Sequence, residues 1–516
     1  MRITLQLLMS VLLSAASCAV FAQPPPSGAF VLEEATIDTI HAAFASRRLT
    51  CVELVDAYLA RIEAYDQKGP ALNAILSVNP AAQETAAELD RRYASGASPG
   101  GLHCIPVVLK DNYDTFDLPT TGGSVTLASS VPPDDATVVQ RIREAGAIIL
   151  AKANLHELAR GGTTVSSLGG QTRNPYDRTR TPGGSSGGTG AAIAASFAVV
   201  GTGSDTLQSI RSPASAQSLV GVRPTHGLIS RDGIIPISPT QDEVGPITRT
   251  VQDAARMLNV MAGYDPADPV TAFALGRIPE SYTDFLDKDG LRGARIGLLE
   301  AYLGNGAPHR EVNAIVQRAM EQMVALGATL IPIEIPRLAE LTRRGSVFTF
   351  EYKHAFNAYL ASLSPQVPVK TLEEFIARAE FHDSLRDGLV SDNAVIDGLS
   401  SPEYLSRLRS RTELRQAVMN VMANNDLDAI LYPLQQRIVG KIGEGQLERN
   451  GALAYSTGFP AITFPGGFSE PSDTAPDGVP VGIELLGSDW SEPQLLRMAY
   501  AFQEATRIRK PPSNMP

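Results

Sequence analysis

The chain has 516 residues, 43% hydrophobic, 19% charged and 6% aromatic, and its 44 Lys and Arg against 55 Asp and Glu leave a net charge of −11. This composition supports a large apolar core, excludes a disordered chain or fibre, and argues against a general nucleic-acid binder, which carries a basic patch. Three Cys beside 44 Gly exclude a disulfide scaffold or zinc-cluster protein.

Met1-Arg2 opens the chain, followed by an apolar stretch from Ile3 to Leu13 and the small residues Ser14-Ala15-Ala16-Ser17. Val20-Phe21-Ala22 then precedes Gln23. This reads as a signal peptide over residues 1–22, cleaved after Ala22, and predicts export to the periplasm or medium. The apolar run is shorter than the ~20 residues of a spanning helix. Lipid attachment at Cys18 is a second reading, with Ala15 a poor match where such sites carry Leu. Residues 23–29 read as a Pro-rich linker. Export removes Cys18 and leaves Cys51 and Cys104, an even pair that permits one disulfide in an oxidising compartment. Because Cys51 falls on an amphipathic helix, the expectation is two buried thiols.

Thr50-Cys51-Val52-Glu53 predicts a capping box, with Leu54, Val55, Tyr58, Leu59 and Ile62 following at helical spacing. Ile105–Leu109 predicts a short buried strand ending at Lys110. Val138, Val139 and Ile142 mark a helix closed by Gly146, and Ala147–Ala151 a strand. Residues 161–190 hold nine glycines and form a loop-rich centre. Ala191–Ser196 suits a helix and Phe197–Gly201 a strand. Ala294–Leu299, Thr329–Ile335 and Ala429–Leu434 are further strands, Ser469–Gly478 is a loop, and Ser491-Glu492-Pro493-Gln494 starts a last helix. Such alternation indicates an α/β layered fold.

Several chemistries fail on their own terms. Gly183-Gly184-Ser185-Ser186-Gly187-Gly188 contains G-x-S-x-G, but a nucleophile elbow needs a hydrophobic strand before it. Asp177–Pro182 cannot be one, and the last His is His382, too early for that fold's late histidine. There is no S-x-x-K, no Walker A and no complete G-x-G-x-x-G. The seven His show no paired spacing, so a catalytic metal has no evident ligands.

Three segments remain. Pro106-Val107-Val108-Leu109-Lys110-Asp111-Asn112 places a Lys at the end of an apolar strand. Pro182–Gly188 is a Gly-Ser loop. Gly203-Ser204-Asp205-Thr206-Leu207-Gln208-Ser209-Ile210-Arg211-Ser212-Pro213 places a Ser before a helix. Taken singly, these are a surface Lys, a linker or phosphate cradle, and an N-cap. In order and spacing, together with Asn154–Glu157, Thr172–Tyr176, Leu219–Leu228, Arg231–Pro236, Gly245–Thr250 and Gly478–Leu486, the chain resembles the amidase signature family. The likeness is dense over residues 100–250 and sparser elsewhere.

The resemblance implies a single large α/β/α domain around a mixed central sheet, over residues 30–510, in place of the two or three domains that length alone suggests at ~150 residues each. It implies hydrolysis of a linear amide by a Ser-Ser-Lys triad, here Lys110, Ser185 and Ser209, with a cis peptide before Ser185. Ser209 would attack, Ser185 would relay the proton, and a neutral Lys110 would receive it. The backbone N–H groups of Thr206, Leu207, Gln208 and Ser209 would form the oxyanion hole. Gly161, Gly162 and Thr163 would line the substrate entrance. Asp205 and Arg211 would brace the loop, Ser186 would orient neighbours, and His226 would be structural. The family usually has glycine just before the nucleophile, where this chain has Leu207-Gln208. A Leu there serves if its φ is negative.

The implied enzyme has no cofactor and no metal. It takes a small-molecule or peptide amide, no nucleic acid and no obligatory protein partner, as a monomer or homodimer. Among substrates, amidated peptides are favoured over aryl acylamides and fatty amides. Residues 335–425 are the least family-like and are expected to shape specificity, with Phe348, Phe350, Tyr352, Phe356 and Tyr359 either lining an apolar pocket or forming core. An impaired binding protein on this scaffold and an esterase are the alternative functions.

Overall fold

The computed structural model describes residues 30–96, 98–446, 448–513 and 515. The signal-peptide and linker readings lie on residues 1–29, outside the described residues. Thr50 caps a helix over Cys51–Tyr65 as its sequence predicts: its hydroxyl accepts the Glu53 N–H, and the Glu53 carboxylate accepts the Thr50 N–H at 2.8 Å. The free N–H groups of Cys51 and Val52 donate to the Asp90 carboxylate at 2.9 and 3.1 Å, an anion where the helix dipole favours one.

That anchoring places Cys51 against Cys104, and the two form a disulfide across 5.4 Å between Cα atoms. The expectation of two buried thiols is therefore corrected. Cys104 turns through φ +58 immediately before the strand that ends at Lys110, and this turn brings it to a helix 53 residues away. Both sulfurs are buried, as expected.

Among the described residues, thirteen strands run in chain order: β1 (Ile75–Val78), β2 (Pro106–Lys110), β3 (Ile148–Ala153), β4 (Val165–Ser166), β5 (Gly170–Gln171), β6 (Val200–Asp205), β7 (Val220–Arg223), β8 (Glu243–Thr248), β9 (Arg295–Leu299), β10 (Thr329–Ile333), β11 (Ala429–Pro433), β12 (Ala461–Phe468) and β13 (Pro480–Leu486). Eleven form one sheet in the order β1-β3-β2-β6-β8-β7-β12-β13-β11-β9-β10, and β4 pairs with β5. β3, β2 and β6 are parallel, as are β11, β9 and β10, and the strands between are antiparallel. The mixed-sheet α/β class is the expected one. Every residue of β2, β3, β6, β7, β8, β11 and β13 is buried, so both faces of the sheet are covered, which is how strands with parallel neighbours persist.

Two expected elements are displaced. The helix expected at 191–196 starts at Gly187, directly after the Gly-Ser loop. The strand expected at Phe197–Gly201 is β6, which runs on through Thr202, Gly203 and Ser204 to Asp205. Pairing with β8 overrides the polar composition, from Gly201 opposite Ile247 to Asp205 opposite Glu243. A Cβ at Gly203 would lie 2.9 Å from the Ser186 hydroxyl, so glycine lets the Ser loop approach the strand. Among the described residues, no helix is long and apolar enough to cross a membrane.

Removing the disulfide in a Cys51→Ala/Cys104→Ala variant is expected to lower stability by about 2–4 kcal/mol, because it frees a long loop in the unfolded chain. Chemical denaturation of both proteins checks this.

Candidate active site

Lys110 ends β2 with no exposure to solvent. Its Nζ donates to Ser185 Oγ at 2.7 Å, Ser204 Oγ at 2.8 Å and the Ser204 carbonyl at 3.3 Å. These contacts are hydroxyls and a carbonyl, with no carboxylate among them. Burial pulls the amine down to about 7, against weaker opposition from Asp205 and Asp242.

The Ser185 loop is held from several sides. The Gly184–Ser185 peptide is cis. Thr164 Oγ1 donates to the Gly183 carbonyl at 2.7 Å and accepts the Gly187 N–H at 3.1 Å. The Ser185 carbonyl accepts the His156 N–H at 3.0 Å, and the Ser186 N–H donates to the Ser209 carbonyl at 3.2 Å. The last bond seats the loop against the turn that carries Ser209. No hydrogen bond joins the Ser185 and Ser209 hydroxyls in this structure. Ser186 Oγ reaches the Ser204 carbonyl at 3.4 Å.

Ser209 lies in the turn between β6 and the short helix Arg211–Ala216. It lines a cavity of about 190 Å³ with Gly161, Thr206, Leu207, Gln208, Ile237, Phe348, Arg160 and Arg449. The backbone N–H groups of Thr206, Leu207, Gln208 and Ser209 donate to no acceptor among the described residues. Leu207 and Gln208 both keep negative φ, so the turn forms without glycine. Space for Gln208 comes from Gly451. A Cβ at Gly451 would lie 2.7 Å from the Leu207 carbonyl oxygen and 2.8 Å from Gln208 Cβ.

Beneath the turn lies a sealed ion cluster. Asp205 Oδ2 meets Arg211 Nε at 3.1 Å and Asp205 Oδ1 meets Arg223 at 3.0 Å, while Arg211 Nη1 meets Glu484 at 2.8 Å. Arg211 Nη2 also donates to the Leu207 carbonyl at 2.6 Å. Burial opposes the Arg211 charge, but Asp205 and Glu484 outweigh it and hold the pKa above the usual arginine value.

Of the three entrance residues, Gly161 lines the cavity. Its missing Cβ leaves room for the His156 ring, which would otherwise lie 2.3 Å away. Gly162 packs against Gln446 and Arg449, and Thr163 contacts His156 Nδ1 at 3.3 Å; neither lines the cavity. Burial drives His156 down to about 3, so this imidazole is neutral. His226 bonds Glu243 at 2.6 Å. Of the aromatics, Phe348 faces the cavity, whereas Tyr352, Phe356 and Tyr359 belong to a buried cluster. Phe350 carries Arg407 on its face.

Ser204, Thr164, Gln446 and Arg449 were not singled out from the sequence. Strand pairing holds a signal for Ser204: Val108 opposite Gly201 in parallel register brings β6 level with Lys110. Among the described residues, the one His/Cys/Asp/Glu group at metal-ligand spacing is Cys51, His103 and Cys104, and its two sulfurs are joined to each other.

The sheet thus carries a buried lysine against a serine loop, with open N–H groups beside a second serine. Residues 53–496 match the amidase family. The chain belongs to that family and is an amide-hydrolysing enzyme. It is 35% identical to the "Probable amidase" of Arabidopsis thaliana over 508 residues, covering 94% of this chain and 93% of that one. It is 34% identical over 500 residues to a glutamyl-tRNA(Gln) amidotransferase subunit of Microcystis aeruginosa, covering 92% and 98%. The native peptide amidase from Stenotrophomonas maltophilia superposes with a TM-score of 0.82 at 36% identity, covering 93% and 98%.

Arg211→Met is expected to destabilise the protein by about 3–5 kcal/mol, since it leaves Glu484 buried without its cation and Asp205 with Arg223 alone. Urea denaturation checks this.

Proposed function

We propose that this enzyme hydrolyses linear carboxylic amides through an acyl-enzyme on Ser209, with Ser185 as proton relay and Lys110 as base. The observation that carries the reading is the 2.7 Å contact between Ser185 Oγ and a buried amine that no carboxylate touches. A lysine accepts a proton only when neutral, and burial brings Lys110 to about 7. Ser209 Oγ attacks the amide carbon. Its proton passes to Ser185, whose own proton passes to Lys110. The oxyanion meets the N–H groups of residues 206–209. The relay then reverses to protonate the leaving nitrogen, ammonia or an amine departs, and water releases the acid by the same route.

Amidated peptides are the proposed substrates. Likeness to a peptide amidase over nearly the whole chain supports this, as do Phe348, Ile237 and Leu207 around the cavity. The negative φ of Leu207 and Gln208 and the unmet N–H groups favour a working oxyanion site over an impaired binding protein. We also propose export and function without an obligatory partner chain. The Cys51–Cys104 disulfide supports an oxidising compartment.

Ser209→Ala should abolish turnover and fluorophosphonate labelling; full labelling of that variant would overturn the assignment. Because the deprotonated amine is the active form, kcat/KM for an amidated dipeptide should rise with pH to a plateau, with an apparent pKa of about 7. Ammonia release measured across the neutral range checks this, and a profile flat through neutrality counts against Lys110 as base.

A further inference from the structure

The cavity that holds Ser209 has two ionisable side chains in its wall, Arg160 and Arg449. Arg160 is already matched: its guanidinium bonds Asp392 and stacks on Tyr352 at 4.0 Å. Arg449 is not. Its side chain bonds Gln446 Oε1 at 3.3 Å, and no carboxylate lies within ion-pair distance among the described residues. The neighbouring Glu448 turns instead to Arg437, at 3.1 Å. A guanidinium keeps its charge at any physiological pH and presents a planar fork that matches a carboxylate in two parallel bonds.

Its position is built. Gln446 Oε1 also faces Gln208 Nε2 at 3.4 Å, and Gln446 Nε2 donates to Ser212 Oγ at 3.1 Å. These bonds tie the Arg449 side of the cavity to the turn that carries Ser209. Gly162 keeps the space open, since a Cβ there would lie 2.5 Å from Gln446 Oε1 and 2.8 Å from Arg449 Nη1. Ser209 and Arg449 line the same cavity of about 190 Å³, so one ligand there can meet both.

We infer that Arg449 anchors a carboxylate on the acyl part of the substrate, so that the preferred amides carry a negative charge close to the scissile bond. This rests on Ser209 as the reacting centre, and it narrows the substrate class from amidated peptides to those ending in an acidic residue. Gln446 and Gln208 act as positioning residues for the guanidinium.

The test compares two neutral-capped amides of similar length, the α-amide of N-acetylglutamic acid and N-acetylnorleucine amide. The wild-type enzyme should show a kcat/KM at least about tenfold higher for the glutamic acid amide, the scale of a charge-assisted pair. Arg449→Gln should erase that ratio, Arg449→Lys should keep part of it, and Arg449→Glu should shift preference to N-acetyllysine amide. A wild-type ratio near one, or equal losses on both amides in Arg449→Gln, overturns the anchor. Calorimetric binding of the same amides to Ser209→Ala, with and without Arg449→Gln, separates the two readings. Robust turnover with no charge preference leaves the hydrolase standing and removes the anchor. A binding preference that needs Arg449, in a protein that turns over no amide, does the reverse. Equal binding and no turnover removes both.

Discussion

A guanidinium shut away from water must be matched, and at Arg211 that requirement organises the centre of the molecule. Its partners are Asp205 at the end of β6, the Leu207 carbonyl in the turn itself and, from 273 residues away, Glu484 on β13. Arg223 on β7 closes the cluster on the other side of Asp205. Taking such charges out of water is costly, and the cost is offset only when every partner is in place. The turn bearing Ser209 is thereby fixed to three strands of one sheet, although its own sequence lacks the glycines that would shape it alone.

The same sheet buries two lysines in different company. Lys152 on β3 is caged by the Tyr113 carbonyl at 2.7 Å, Thr120 Oγ1 at 2.9 Å and the Pro119 carbonyl at 3.1 Å, with Asp111 at 3.4 Å. Lys110, one strand away on β2, has hydroxyls where Lys152 has an acid. Burial lowers the pKa of both lysines; at Lys152 the touching Asp111 carboxylate opposes that shift, whereas at Lys110 no carboxylate touches the amine.

Legibility from sequence followed the range of the interactions concerned. The Thr50–Glu53 cap and the apolar run into Lys110 are local, and both elements formed where expected. β6 shifted because its polar half is stabilised by β8, forty residues on, which no periodicity in residues 197–205 reveals. The cysteine pairing failed for the same reason: an amphipathic helix predicts that Cys51 is buried but not what it meets. Within the site, Lys110, Ser185 and Ser209 were recognisable as ordered segments. Ser204 was not, because a serine in a strand is ordinary until the register sets it on the lysine. Gln446 and Arg449 belong to an irregular segment whose neighbours are set wholly by the fold.

Gln208 and Gly451 stand 243 positions apart in sequence (451 − 208) and share one small volume. Two of the three closest atoms to a Cβ at 451 belong to the Gln208 side chain. A change of volume at either position is therefore felt at the other. A Cβ at 451 would meet the Leu207 carbonyl oxygen as well as the Gln208 side chain, so both the backbone of the turn and its glutamine require glycine there. The shape of the turn is thus set in part by a residue that the chain reaches only at its far end.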